Sequence, residues 1–198
     1  MPAPPRVPAR RLPAAAGEDH GREEDGRVSA EPVIGEPEIA ALVRERLPDI
    51  PFEASETKTY ADLRVAPEHF LALVTGLRDD DELAFDLLRN IVALDMEEAG
   101  LEAKYHLYSF PHGHALQVTV AAPIPSCELP SLTDLYPAAN WHEREAAEMV
   151  GLVFTGHPDP RNLLLEEDLR IHPLRKAHPL QKAEILQGIE DGPPGVEV

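Results

Sequence analysis

Cysteine is almost missing from this chain: Cys127 is the only one in 198 residues. No intrachain disulfide can form, and nothing signals an oxidising compartment. An iron–sulfur cluster takes about four thiolates, so none is expected on this chain alone. Long apolar runs are missing as well. The best stretches, Phe70 to Val74 and Ala115 to Pro125, fall short of the roughly 20 residues that span a bilayer. Basic residues are scarce, 18 Lys+Arg against 36 Asp+Glu, for a formal charge of -18. Such a chain repels nucleic-acid backbones and anionic lipid head groups; a basic protein partner remains compatible with it. The twelve glycines include no dinucleotide or phosphate-loop spacing, and no G-x-S-x-G elbow is present. Arg10-Arg11 raises a twin-arginine export signal, but Leu12 to His20 is too short and polar to follow it. The expected location is therefore cytoplasmic.

What is present divides the chain in three. Residues 1–35 are rich in proline and charge, and are expected to form a disordered tail. Residues 36–155 read as one α+β domain. Pro37 opens a helix carrying Ile39, Leu42, Val43 and Leu47, which Pro48 stops. Phe52 to Val65, with Thr57, Thr59 and Tyr60, reads as one or two strands. Pro67 opens a second helix with Phe70, Leu71, Val74 and Leu77 on one stripe. Phe85 to Leu94 reads as a strand. Leu101 to Ser109 and Ala115 to Ala121 flank Pro111-His112-Gly113-His114 in a hairpin pattern. The expected fold is a mixed or antiparallel sheet with helices packed on it. Pro123 to Leu132 reads as a connector. Residues 156–198 are broken by Pro158, Pro160, Pro173, Pro179, Pro193 and Pro194, and are expected to lie extended against something.

A third helix is expected over Trp141 to Val150, capped by Asn140 with Glu143 completing a capping box, and ended by Gly151. On a helical wheel His142, Ala146, Met149 and Val150 form the core side; Trp141, Arg144, Glu145 and Glu148 gather opposite. Arg144 and Glu148, four apart, can pair along the helix. Trp and Arg are enriched at interface hot spots, although pattern alone favours a solvated face. His142-Glu143 lacks the second histidine of a zinc protease, because position 146 is Ala146. His157, His172 and His178, with Asp159, match no familiar metal spacing, and a turn-forming or backbone-bonding role is preferred. His112 and His114 read as an exposed turn. The acids Asp79 to Glu82 and Glu166 to Asp168 read as solvated surface, with no substrate placed beside them.

The run PSLTDLYPAANWHEREAAEMVGLVFTGHPDPRNLLLEEDLRIHPLRKAHPL, Pro130 to Leu180, resembles the C-subunit (30 kDa-type) family of respiratory complex I. Glu143, Arg144, Glu145, Glu148, Met149, Val150 and His157 fill the family signature: E-R-E, two residues, an acid, two apolar residues, six residues, then His or Lys. Arg161, Leu163 and Leu164 match its continuation, and His172, Pro173, Leu174, Arg175 and Lys176 its H-P-L-R-K. Ile171 stands where the family commonly has glycine.

The resemblance implies a non-catalytic structural subunit in the cytoplasmic peripheral arm of a proton-translocating NADH:quinone oxidoreductase, docked on the large quinone-site subunit. It implies no cofactor on this chain; NADH, FMN, iron–sulfur clusters and quinone would sit on partner subunits. Attachment to the cytoplasmic side of the membrane would come only through the complex. Trp141, Arg144, Glu145 and Glu148 would organise the domain or its interface, and His157 to Lys176, with Asp159 and Arg161, would form a docking strap. Related subunits occur in membrane-bound hydrogenases, formate hydrogenlyases and F420H2 dehydrogenases, so the electron donor stays open. A free-standing metal-dependent enzyme using the C-terminal histidines is the reading from another class.

Overall fold

The computed structural model describes residues 36–56, 61–166, 169 and 171–177. The expected tail 1–35, the strand candidates Thr57, Thr59 and Tyr60, the acids Glu167 and Asp168, and His178, Pro179, Pro193 and Pro194 lie outside the described residues.

Helix α1 (Glu36–Arg46) and strand β1 (Glu53–Glu56) lead into β2 (Ala61–Val65). Helix α2 (Pro67–Asp79) follows, with Pro67 in its first turn. Then come β3 (Leu87–Asp95), β4 (Leu101–Ser109) and β5 (His114–Ala122). The five strands form one mixed sheet in the order β1-β2-β5-β4-β3; β2 and β5 run parallel and the other neighbours antiparallel. One face alternates into the core through Leu63, Val65, Val118, Val120, Ala103, Tyr105 and Leu107. Against it α1 buries Ile39 and Val43, and α2 buries Phe70, Leu73, Val74 and Leu77. Leu71, expected on that stripe, is 43% exposed. It lies about 100° from Phe70, whereas Leu73 completes the i, i+3, i+4, i+7 pattern. The opposite sheet face is polar: Thr119 donates to Asp62 (2.6 Å), Gln117 to Thr119 (3.2 Å), and Arg64 pairs with Glu102 (2.8 Å).

The connector 123–132 holds a strand that its sequence does not announce. β6 (Glu128–Pro130) pairs in parallel with β7 (Val153–Thr155), and α3 (Ala139–Val150) forms the crossover between them. Each strand has three residues and one contains proline, too little for a period-2 pattern.

Tyr105 packs its ring on Phe70 at 4.7 Å between centroids. Its hydroxyl is buried and has no hydrogen-bond partner among the described residues. Burial, and then the Glu143 charge, hold its pKa well above the usual phenol value. Removing an unsatisfied buried donor relieves a desolvation cost. Tyr105→Phe is therefore expected to raise stability by up to about 1 kcal/mol in urea unfolding; a loss of stability would mean that the hydroxyl has a partner.

The helix and strap clamp

Helix α3 starts earlier than its sequence suggests. Pro137 fixes the entry, and turn bonds run from Ala139 N–H to the Tyr136 carbonyl (3.0 Å) and from Asn140 N–H to Pro137 (3.3 Å). The N-cap is Ala138, which makes no side-chain cap bond. Asn140 therefore lies inside the helix, and Glu143 two residues too far along for a capping box. Glu143 instead turns inward, fully buried, and holds the connector: it accepts from Leu132 N–H (2.6 Å) and from the Ser131 hydroxyl (2.6 Å).

The expected sides of α3 also need correction. Ala146 and Val150 are buried, but so are Glu143 and Glu148, while His142 and Met149 are only half-buried. The reason is a second covering. Residues 156–177, a strap without regular structure in its described parts, return over the helix. The Glu148 carboxylate accepts three consecutive strap amides, Leu163 (2.8 Å), Leu164 (3.0 Å) and Leu165 (3.3 Å). Arg144 donates to two consecutive carbonyls, Arg161 and Asn162 (2.8 Å each), and lies 3.8 Å from Asp159. The pair expected between Arg144 and Glu148 along the helix is replaced by these contacts. Each charge meets backbone groups of matching polarity, which satisfies loop amides and carbonyls that burial would otherwise strand.

The strap also finishes the helix. Gly151 adopts φ +81° and bonds back to the Ala147 carbonyl (2.8 Å), as expected of a glycine C-cap. The Glu148 and Met149 carbonyls then take His172 Nδ1–H (2.9 Å) and Leu174 N–H (3.0 Å). These are the helix-end carbonyls that lack intrahelical partners. Arg175 reaches the same terminus, and a side chain added at Gly151 would come 2.8 Å from His172 and 3.1 Å from Arg175. Cations there complement the helix dipole. Lys176 carries the strap to the end of β3, with N–H to Asp95 (3.0 Å) and Nζ to Glu97 (3.0 Å). Two backbone amides, those of Glu97 and then Lys176, hold the Asp95 carboxyl below its usual range.

The two described C-terminal histidines, His157 and His172, bond to backbone. His157 donates from Nε2 to the Asn140 carbonyl (3.2 Å) and accepts the Asp159 amide at Nδ1 (3.0 Å). Asp159 is chelated by Arg161 at 2.7 and 2.8 Å, which with the Arg161 and Arg144 charges holds its pKa at about 2. Among the described residues no three His, Cys, Asp or Glu side chains gather to hold a metal. Between α3, β7 and the strap lies a cavity of about 340 Å³, walled by Glu143, Ala147, Phe154, His157, Leu169 and His172 among others.

Glu143 brings a pH dependence. Burial raises its pKa to about 6, against the lowering effect of its bonds to Ser131 and Leu132. A carboxyl raised above its unfolded value binds its proton more tightly when folded. Its stabilising contribution is full below pH 4.5 and is lost as pH rises through about 6, on the order of 2 kcal/mol in all. Glu143→Gln can still accept from Leu132 and donate to Ser131. The stability difference between variant and parent is expected to shift by that amount in the variant's favour from pH 4.5 to 7. A flat difference curve in denaturant titrations would show Glu143 unperturbed.

The structure thus gathers Glu143, Arg144, Glu148, His157, Asp159, Arg161, His172, Pro173, Leu174, Arg175 and Lys176 into one helix–strap clamp. Trp141 and Glu145 stay outside it. Trp141 is 60% exposed, with the Arg144 guanidinium over its ring at 5.9 Å from the centroid; Glu145 is exposed. Ser131, Leu132, Asn162, Asp95 and Glu97 belong to the clamp, yet nothing local in the sequence points to them. Gly151 carried a signal only as a helix cap.

Residues 63–184 match the family model described as the respiratory-chain NADH dehydrogenase 30 kDa subunit. The chain is 39% identical over 145 residues, 72% of its length and 83% of the relative's, to the C-subunit of the NADH-quinone oxidoreductase of Roseiflexus castenholzii. It is 36% identical over 141 residues, 70% of each chain, to that of Rhodobacter capsulatus. Its fold is similar to a trypsin-resistant fragment of Nqo5, with TM-score 0.51 and 27% identity over 62% of this chain and 97% of that one. It is also similar in fold to a chain of the membrane-bound sulfane sulfur reductase, an archaeal respiratory membrane complex, with TM-score 0.63 and 23% identity over 76% and 89%.

Proposed function

Since the chain belongs to the 30 kDa subunit family of the respiratory-chain NADH dehydrogenase, we propose that it is a structural subunit of the peripheral arm of an NADH:quinone oxidoreductase, without catalytic residues of its own. In this reading it docks on the quinone-site subunit at the cytoplasmic side of the membrane. NADH, FMN, iron–sulfur clusters and quinone sit on its partners. No helix among the described residues is long and apolar enough to cross a membrane, which accords with attachment through other subunits.

The observation that carries the proposal is the two-sidedness of the clamp. Its inner side meets α3 through charge-assisted bonds, while Leu164 (65%), Ile171 (50%) and Leu174 (63%) point outward, with Trp141 exposed on the helix. A strap ordered by its own chain presents these apolar groups at low entropic cost to a partner. Leu164, Leu174 and Trp141 are therefore the expected contacts; Arg144 and Glu148 act by holding the strap.

The test is native purification of the tagged chain from detergent-solubilised membranes. The quinone-site, iron–sulfur and polytopic membrane subunits are expected with it, and Leu174→Asp is expected to reduce their recovery. A parent chain that purifies alone would defeat the reading. Co-purification with nickel–iron rather than flavin–NADH subunits would move it to a hydrogenase-type complex.

A further inference from the structure

Phe110, at the tip of the β4–β5 hairpin, is the most exposed of the large apolar side chains described, at 67%. It is nevertheless held in place. Its N–H donates to Asp86 Oδ1 (3.0 Å), and its ring meets Tyr108 edge-on at 5.3 Å and 87°. The Arg89 guanidinium lies 5.7 Å from the Tyr108 ring. The turn closes through Gly113 N–H to the Ser109 carbonyl (2.8 Å). His112, stacked on His114, donates to the Asp81 carbonyl (2.9 Å) and ties the tip to the α2–β3 loop. That loop carries the exposed acids Asp81, Glu82 and Asp86; Asp86 binds the tip directly, and Glu82 lies 3.4 Å from Arg46.

The tip is far from the end of the strap at Lys176. Lys176 binds Asp95, which is paired with Leu101 at the start of β4, whereas Phe110 follows Ser109 at its end. Eight strand steps separate the two by about 26 Å. A pinned, solvent-facing aromatic has the character of an interface anchor, since little side-chain freedom remains to be lost on docking. The acids of the loop bound to the tip choose among occupants. A second copy docked on the same patch would set acid against acid. An anionic lipid surface would be repelled likewise.

We propose that the hairpin tip is a second docking surface, with Phe110 as anchor, for a subunit that offers an apolar pocket rimmed by lysine or arginine. The inference rests on the assembly reading and adds to it that the domain bridges two partner surfaces, one at each end of its sheet.

The experiment places a photoreactive benzophenone amino acid at position 110 of the full chain in its native complex, and in a second preparation at position 174. Position 110 is expected to cross-link to an apolar residue of a partner, flanked by basic residues, on a surface different from the one reached from position 174. The double variant D81K/E82K is expected to lower the cross-link yield from position 110 about tenfold at physiological salt and to leave that from position 174 unchanged. Cross-links to lipid, to a second copy, to the surface reached from position 174, or to no protein would overturn the proposal. So would a yield that ignores the charge reversal. When position 174 cross-links and position 110 does not, only this inference falls; when neither does and the chain purifies alone, the assembly reading falls with it.

Discussion

Replacing Glu148 with alanine is expected to detach the strap from α3 and to cost the chain about 3 kcal/mol. The residue is 4% exposed, and its two oxygens serve three successive amides. Truncation strands those amides in a half-buried loop, while Arg144 keeps its bonds to the Arg161 and Asn162 carbonyls and its neighbour Asp159. Hydrogen bonds to an ionised acceptor are worth about 1.5–3 kcal/mol each when one partner is removed, and some of that loss returns as water enters. Glu148→Gln can keep an acceptor where Oε2 serves all three amides but turns an N–H₂ group toward Leu164 N–H, so it is expected to lose less than the alanine variant. Urea unfolding gives the magnitude. Amide exchange gives the place: Leu163, Leu164 and Leu165 should exchange at least tenfold faster, while the sheet amides of β4 and β5 stay protected. Unchanged exchange at the three leucines would remove Glu148 as the clamp's holding group. In the assembled complex the same variant should reduce partner recovery although Glu148 is itself buried, because the outward Leu164 and Leu174 lose their fixed position.

The sheet and the first two helices were legible because each repeats a pattern often enough to be read locally. β4 and β5 have nine residues apiece around a turn, and α2 begins with Pro67 and carries four core residues at helical spacing. The clamp was legible only as a resemblance. A wheel divides α3 into a wet side and a dry side, and Glu148 and Glu143 then fall outside or at the margin of the core. That division presumes one covering layer. Here α3 is covered by the sheet on one side and by the strap on another, so acids can be buried wherever a loop turns its amides toward them. The sequence signal for such burial is long-range: Glu148 meets residues 15 to 17 positions away, and Lys176 meets Asp95 across 81. No period of 2 or 3.6 encodes contacts of that kind. The misplaced N-cap has a smaller cause. Asn140 is a better capping residue than Ala138, yet Pro137 begins the turn three residues earlier, and geometry prevails over a side-chain preference worth about 1 kcal/mol.

Gly151→Ala is expected to cost about 2–3 kcal/mol, and to loosen the strap at its far end rather than at the three leucines. Part of the loss is local. At φ +81° an added Cβ meets the neighbouring backbone, a penalty of roughly 1–2 kcal/mol. The rest comes from the strap, since the new carbon would sit 2.8 Å from the His172 ring and 3.1 Å from Arg175. Both side chains can swing away, but only by surrendering the bond to the Glu148 carbonyl and the favourable position at the helix C-terminus, about 1 kcal/mol together. The two parts separate in a double-mutant cycle with His172→Ala. Removing the imidazole makes room for the new carbon, so G151A should cost about 1 kcal/mol less in the H172A background than in the parent. Exchange at Leu174, whose N–H binds the Met149 carbonyl, should rise in the single variant G151A. A coupling near zero would leave the backbone penalty as the whole effect, and Gly151 would then be a helix cap alone, with no part in seating the strap.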